Sequence, residues 1–222
     1  MSLAIWPELF DTEGTDPVAA SPDFPELCRL LFSAASDEDT IARIAARSSA
    51  HPNGFLKVVV VPGLRVHTWF TTAESADADA HDHRWPYASL TLTGALRERE
   101  YRLSTPDDPA ARPVTALRYR SDHEKGTFSF STGIPAWLRQ GEARVLRPGA
   151  MAAEPATRIH RVRAEVPMTS TLVHTGPPRA AASTVYRAGS APVDPGRAER
   201  PDTATVRNCL LRSTAALNAL MG

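Results

Sequence analysis

From Phe55 to Val61 the chain is apolar and β-branched, and Pro62-Gly63 turns it. From Leu64 to Phe70 the residues Arg65, His67 and Trp69 then alternate with Leu64, Val66, Thr68 and Phe70. A continuous run, a turn and a period-two segment predict two paired strands. Further strand-like runs are His81 to Thr93, Ala95 to Leu103, Val114 to Arg120, Thr127 to Ser131, Arg144 to Leu146, His160 to Ala164 and Thr169 to Thr175. Short strands between proline and glycine turns predict a mainly β fold, a sandwich or small barrel.

Both ends read differently. Pro7, Pro17, Pro22 and Pro25 break the start into irregular pieces before Phe24, Leu27, Leu30 and Leu31 make one apolar face. Ser36-Asp37-Glu38-Asp39 then offers an N-cap and early negative charge to a second helix carrying Ile41, Ile44 and Ala45. Ala73 to Ala80 is a polar, acidic connection, and after Ala188 the composition turns to Gly, Ser, Ala and Pro through Pro201, a linker. Val206, Leu210, Leu217 and Met221 recur at helical spacing, so a closing helix is expected, for packing or for contact with a second copy in a homodimer. The pattern thus divides the chain into a helical extension packed on the barrel at 1–52, a β-barrel at 53–188, and a linker with a helix at 189–222. No internal repeat and no nucleotide-binding glycine loop is present in the sequence.

A length of 222 residues suits one main domain with appendages. Lysine plus arginine and aspartate plus glutamate each total 25, so no net field draws the protein to nucleic acid or an anionic membrane. Cys28 and Cys209 have neither zinc-knuckle nor redox-pair spacing, which fits a reducing, cytoplasmic setting. No apolar run approaches the roughly 20 residues of a membrane span. Met1 to Phe10 also lacks the basic flank and apolar stretch of a signal peptide.

Chemistry concentrates at His81-Asp82-His83, answered far along the chain by His160. In an extended strand residues two apart share a face, so two imidazoles side by side with a third from a distant strand can close a metal site. The surrounding spacing resembles the two motifs of the cupin superfamily. After His81-Asp82-His83 come Tyr87 and Gly94, at the places where that family carries a glutamate and a glycine, with Ser75 at the leading glycine position. Gly149, Pro155, Thr157 and His160 keep the spacing of the second motif, with Thr157 for its second glycine and Ala164 where an asparagine is common. The resemblance covers about residues 54 to 180 and implies a double-stranded β-helix barrel with His81, His83 and His160 as metal ligands. Tyrosine in place of the glutamate makes the chain similar to the three-histidine iron cupins, among them the thiol dioxygenases, which also lack that carboxylate.

Three neutral imidazoles leave a divalent ion with its full charge and open positions, suited to an anionic, chelating ligand. Iron(II) is the implied ion, with nickel, manganese, copper and zinc left open. Tyr87, His67 and Glu98 are the candidate catalytic side chains, and Lys57, Arg65, Arg97 and Arg99 the candidate anion clamps. Arg97 and Arg99 share one strand face and Glu98 and Glu100 the other, and the sequence does not say which is solvated. His174 lies on a late strand and His123 in a charged turn. The expected activity is an iron(II) oxygenase that uses O2 on a small anionic metabolite. The alternatives are a metal-assisted isomerase, epimerase or lyase, and a non-enzymatic ligand-binding cupin. No basic helix-turn-helix points to DNA.

Overall fold

A computed structural model describes residues 23–73, 78–122, 127–189 and 196–222. Pro7, Pro17, Pro22, Ser75 and His123 lie outside the described residues, as do parts of the acidic connection and of the linker. The helices are α1 (Phe24–Ser36), α2 (Glu38–Arg47) and α3 (Thr203–Met221). Each starts on an aspartate whose carboxylate accepts a backbone N–H of the first turn: Asp23 from Glu26, Asp37 from Thr40 and Asp202 from Thr205. None of the described helices is long and apolar enough to cross a membrane.

The strands are β1 (Ser49–His51), β2 (Phe55–Val61), β3 (Leu64–Trp69), β4 (Ala80–His81), β5 (Tyr87–Thr93), β6 (Leu96–Ser104), β7 (Ala111–Asp122), β8 (Thr127–Phe130), β9 (Ile134–Leu146), β10 (Met151–Glu154), β11 (Ile159–Ala164), β12 (Thr169–Thr175), β13 (Ser183–Arg187) and β14 (Gly196–Arg197). They form two antiparallel sheets, in the orders β1-β2-β3-β12-β5-β10 and β13-β4-β11-β6-β9-β7-β8-β14. This is a mainly β fold of two antiparallel sheets carrying N-terminal helices and a C-terminal helix.

The alternation read along β2 and β3 decides where the apolar core sits. Leu56, Val58, Val60, Leu64 and Val66 face the helices and pack with Leu27, Leu31, Ile41, Ile44, Val206, Leu210 and Leu217. Phe55, Lys57, Arg65, His67 and Trp69 face the other way, into the space between the sheets. The main core is therefore the layer between helices and first sheet, and the barrel interior is free for polar groups. Met221, expected in the closing helix's apolar stripe, is 45% exposed, and its neighbour Leu220 packs against the core instead.

Three strand expectations are corrected. His81 to Thr93 is not one strand: the chain leaves the sheet after His81 and re-enters at Tyr87, just after Pro86, which has no N–H to give a ladder. Arg144 to Leu146 is the end of a much longer strand, β9, whose exposed polar face and Gly141 hid its periodicity. β13 lies beyond the predicted strands, and it pairs with both β4 and β7. That double pairing closes β4, β11, β6, β9, β7 and β13 into a ring filled by Ala80, Ala116, Leu138, Ile159 and Tyr186. In β4 and β11, Ala80 and Ile159 face this ring, while His81 and His160 line the cavity between the sheets.

Two turn glycines are required by their surroundings. Gly94 between β5 and β6 has φ +72°, and a Cβ there would lie 2.2 Å from Thr169 Oγ1. Gly149 before β10 has φ +85°, a conformation that side-chain-bearing residues adopt at a cost.

Candidate metal centre

β4 and β11 are antiparallel neighbours in which His81 and His160 are direct partners, so both imidazoles stand on one face. His83 lies beyond the strand, and backbone bonds turn it back to the site: Asp82 N donates to Thr184 O at 3.0 Å, and His83 N to Ala156 O at 3.0 Å. The ring centroids are 4.9 Å apart for His81 and His83, 4.9 Å for His81 and His160, and 5.0 Å for His83 and His160. One ligand nitrogen from each ring lies within 4.8 Å of the other two. His83 Nε2 and His160 Nε2 are 2.8 Å apart. Two nitrogens bound at right angles to one ion at about 2.1 Å would be about 3 Å apart.

The far sides of two rings are fastened. His160 Nδ1 lies 2.6 Å from Glu98 Oε1, and His81 Nδ1 lies 3.1 Å from the Asp79 carbonyl and 3.2 Å from the Asn53 amide. A carboxylate and a carbonyl only accept, so each Nδ1 donates and each Nε2 keeps its lone pair for an ion. Burial, and then the charge of His160, holds His81 neutral with a pKa of about 3, and burial holds His83 well below the usual range. His81 and His83 need no deprotonation at neutral pH, and the residues present fit a first-row divalent ion.

Tyr87 occupies the position of the absent motif glutamate. Its phenol oxygen lies 3.3 Å from His160 Nδ1 and 3.5 Å from Nε2. Its ring meets His83 at 4.7 Å. Burial, then the charges of Glu98 and Glu154, raises the phenol well above its usual pKa, so it is a neutral hydrogen-bonding group rather than a phenolate. Glu98 comes from β6, on the same face as Leu96. Burial disfavours its charge, but the hydrogen bond and charge of His160, with Arg144, outweigh that and hold it at about 2.

The cavity beside the histidines measures about 150 Å³, comparable to an engineered protein cavity that holds benzene. Lys57, Arg65 and His67 line it. Lys57 is 6% exposed, and burial, then Arg65, lowers its pKa to about 8. Burial, then Arg84, brings Arg65 to about 10, and its guanidinium lies 4.5 Å from the centre of the Trp85 ring. Among the described residues neither Lys57 nor Arg65 has an ion pair with a carboxylate. His67 is neutral through burial, its Nε2 has no hydrogen-bond partner among the described residues, and its ring packs 4.4 Å from Phe55.

Arg97 and Arg99, expected as alternative clamps, are on the outer face of β6. Arg97 forms two hydrogen bonds with Glu165, at 2.9 and 2.8 Å, and Arg99 Nη1 donates to Gly141 O at 3.2 Å. The strand's alternation, left open by the sequence, thus puts Glu98 inside and both arginines outside. Reading the sequence missed Arg144, Arg158 and Glu154. Glu154 does stand next to the motif proline Pro155, but its partners come from other strands. It also missed Asp79, Asn53 and the stacked pair His51 and Phe55, whose ring centroids are 4.3 Å apart.

No family model matches the chain, and no curated protein matches it. Among solved structures it is similar to a hydroquinone 1,2-dioxygenase from Sphingomonas sp. TTNP3 with 4-hydroxybenzoate bound. The identity is 19%, over 57% of this chain and 66% of that one, with a TM-score of 0.33. It is also similar to the hydroquinone 1,2-dioxygenase PnpCD in complex with Cd2+ and 4-hydroxybenzonitrile, at 14% identity over 62% of this chain and 72% of that one, TM-score 0.33. A third similarity is to Drosophila melanogaster CENP-C bound to CAL1, at 9% identity over 58% of this chain and 75% of that one, TM-score 0.34. Likeness this slight assigns no activity, which has to come from the site.

Proposed function

We propose that this protein is a metal-dependent oxygenase of cupin type, with His81, His83 and His160 holding iron(II) and a small anionic metabolite as substrate. The observation that carries the reading is the convergence of three imidazoles with two Nε2 atoms 2.8 Å apart, beside a cavity in which Lys57 and Arg65 have no carboxylate ion pair among the described residues. Iron(II) held by His81, His83 and His160 would supply a cationic, redox-active centre for oxidation of a chelating anion by O2. The chain's own residues do the rest. Lys57 and Arg65 neutralise the substrate's anionic group, offsetting the cost of burying their own charges. Tyr87 directs a neutral hydroxyl at the reacting end, and Phe55, Trp69 and Trp85 line the cavity and exclude water.

The test is anaerobic loading with iron(II), then a screen of amino acids, hydroxy acids, thiols and diketones by oxygen electrode and product mass. We expect about one ion per chain and oxygen uptake with at least one anionic chelator. His81→Ala combined with His83→Ala should abolish both. Full metal content in that double variant sinks the site. Equal turnover without oxygen, or with zinc in place of iron, replaces the oxygenase with an isomerase or lyase.

A further inference from the structure

Behind His160 a line of alternating charges crosses the barrel. Glu98, 3% exposed, presents Oε1 to His160 Nδ1 at 2.6 Å and Oε2 to Arg144 Nε at 2.7 Å. Arg144 also bonds Glu154, which is 1% exposed, and Arg158 Nη1 lies 2.9 Å from Glu154 Oε2. Arg158 Nη2 then reaches Glu100 Oε2 at 3.3 Å. These groups come from β6, β9, β10 and the turn before β11, so long-range folding assembles the line. Buried ion pairs return little stability, since desolvation consumes most of their attraction. Something other than stability has to explain two carboxylates this deeply buried.

The three imidazoles are not equivalent. Behind His81 stand a neutral carbonyl and an amide, whereas behind His160 stands an anion clamped by a guanidinium. The motif's own carboxylate position is filled by the uncharged Tyr87. We propose that Glu98 is the positioning residue of the metal centre: it fixes the tautomer and orientation of His160 and makes that imidazole the strongest donor to the ion. The negative charge thus stands one hydrogen bond behind the imidazole of His160. Arg144 holds Glu98 in line, and Glu154 with Arg158 holds Arg144. The inference rests on the metal-binding reading of the three histidines. Glu98 has both oxygens engaged and acts through His160 rather than as an acid toward substrate.

Cobalt(II) titration of the full chain, followed by its visible absorption bands, reads affinity and ligand field together. Glu98→Ala should weaken cobalt binding by about 10- to 100-fold and displace the bands. Glu98→Gln, which keeps an acceptor for the Nδ1–H but removes the charge, should fall between and still displace them. Arg97→Ala, one residue along on the outer face, should match the wild type in both. A purely structural role would lower only the melting temperature. Folded Glu98→Ala or Glu98→Gln protein with wild-type cobalt affinity and bands therefore overturns the inference. Should neither Glu98 variant fold, Arg144→Gln gives the same two readouts through the clamp, with the same criterion. A wild-type protein that binds no cobalt overturns the metal reading itself, an outcome distinct from normal binding insensitive to Glu98.

Discussion

At the scale of single residues, Lys57 carries the clearest pH signature. It sits in the cavity with no carboxylate partner among the described residues, and burial brings its pKa down to about 8. Below that pH the ammonium is charged and can hold an anion, and above it the charge is lost. Benzoate, a one-ring anion, should bind the metal-free protein with constant affinity from pH 6 to about 7.5. Its affinity should then weaken by about tenfold per pH unit above about 8, as one proton is lost. Calorimetry over pH 6 to 10 checks this, and Lys57→Met should bind weakly with no break near pH 8. A break that survives in Lys57→Met would assign the titration to another group. The residue types at the site were legible in the sequence because the three histidines keep fixed spacings. The side on which Glu98 stood was not, because alternation gives two faces and only packing says which is inside.

At the scale of elements, the start of α2 and the turn at Pro62-Gly63 were legible because their signals are local, Asp37 three residues before a free N–H and a glycine at positive φ. Long-range elements were not. β9 runs from Ile134 to Leu146 with most of its residues outside any core, so no apolar period marks it, and β13 is recognised only by pairing with two strands at once. Gly94 shows how strict a local signal can be. Its φ is +72°, and an added Cβ would lie 2.2 Å from Thr169 Oγ1 and 2.8 Å from Thr169 Cα, so both backbone strain and a clash with main-chain atoms oppose any side chain. Gly94→Ala should cost about 3 kcal/mol of stability, read by urea denaturation. Because β6 starts just beyond this turn, the same change should also disturb Glu98 and weaken metal binding. A loss below about 1 kcal/mol would mean that the turn and β12 can separate freely. Gly189, also at positive φ but with nothing within 4 Å of an added Cβ, should tolerate alanine with only the smaller backbone cost.

At the scale of the molecule, the fold puts its apolar core between helices and first sheet and His51, His67, His81, His83 and His160 around the cavity between the sheets, and acid stability follows from that division. Burial holds His51, His67 and His83 well below their ordinary pKa and His81 at about 3. Above about pH 6.5 these rings are neutral in folded and unfolded chains alike, and they add no pH dependence. As pH falls below 6.5 the unfolded chain takes up protons that the folded protein refuses, so each ring costs about 1.4 kcal/mol per pH unit until its folded pKa is reached. Glu98 acts in the same direction lower down. Its folded pKa of about 2 gives stability that is complete above its ordinary value of 4.5 and is lost as pH falls from there towards 2. Stability should therefore be nearly flat from pH 8 to 7 and fall with increasing steepness from about 6.5 to 4, measured as urea midpoints at half-unit steps. On the proposed reading divalent ions would bind the neutral rings of the folded protein, so saturating zinc should raise the melting temperature at pH 7 and lose that effect as proton competition grows in acid. His67→Phe removes one buried imidazole without entering the ligand set and should make the acid slope shallower by about one proton. An unchanged slope in that variant, or a stability profile flat to pH 5, would show that the rings take up protons in the folded state and that the barrel interior is wetter than its packing indicates.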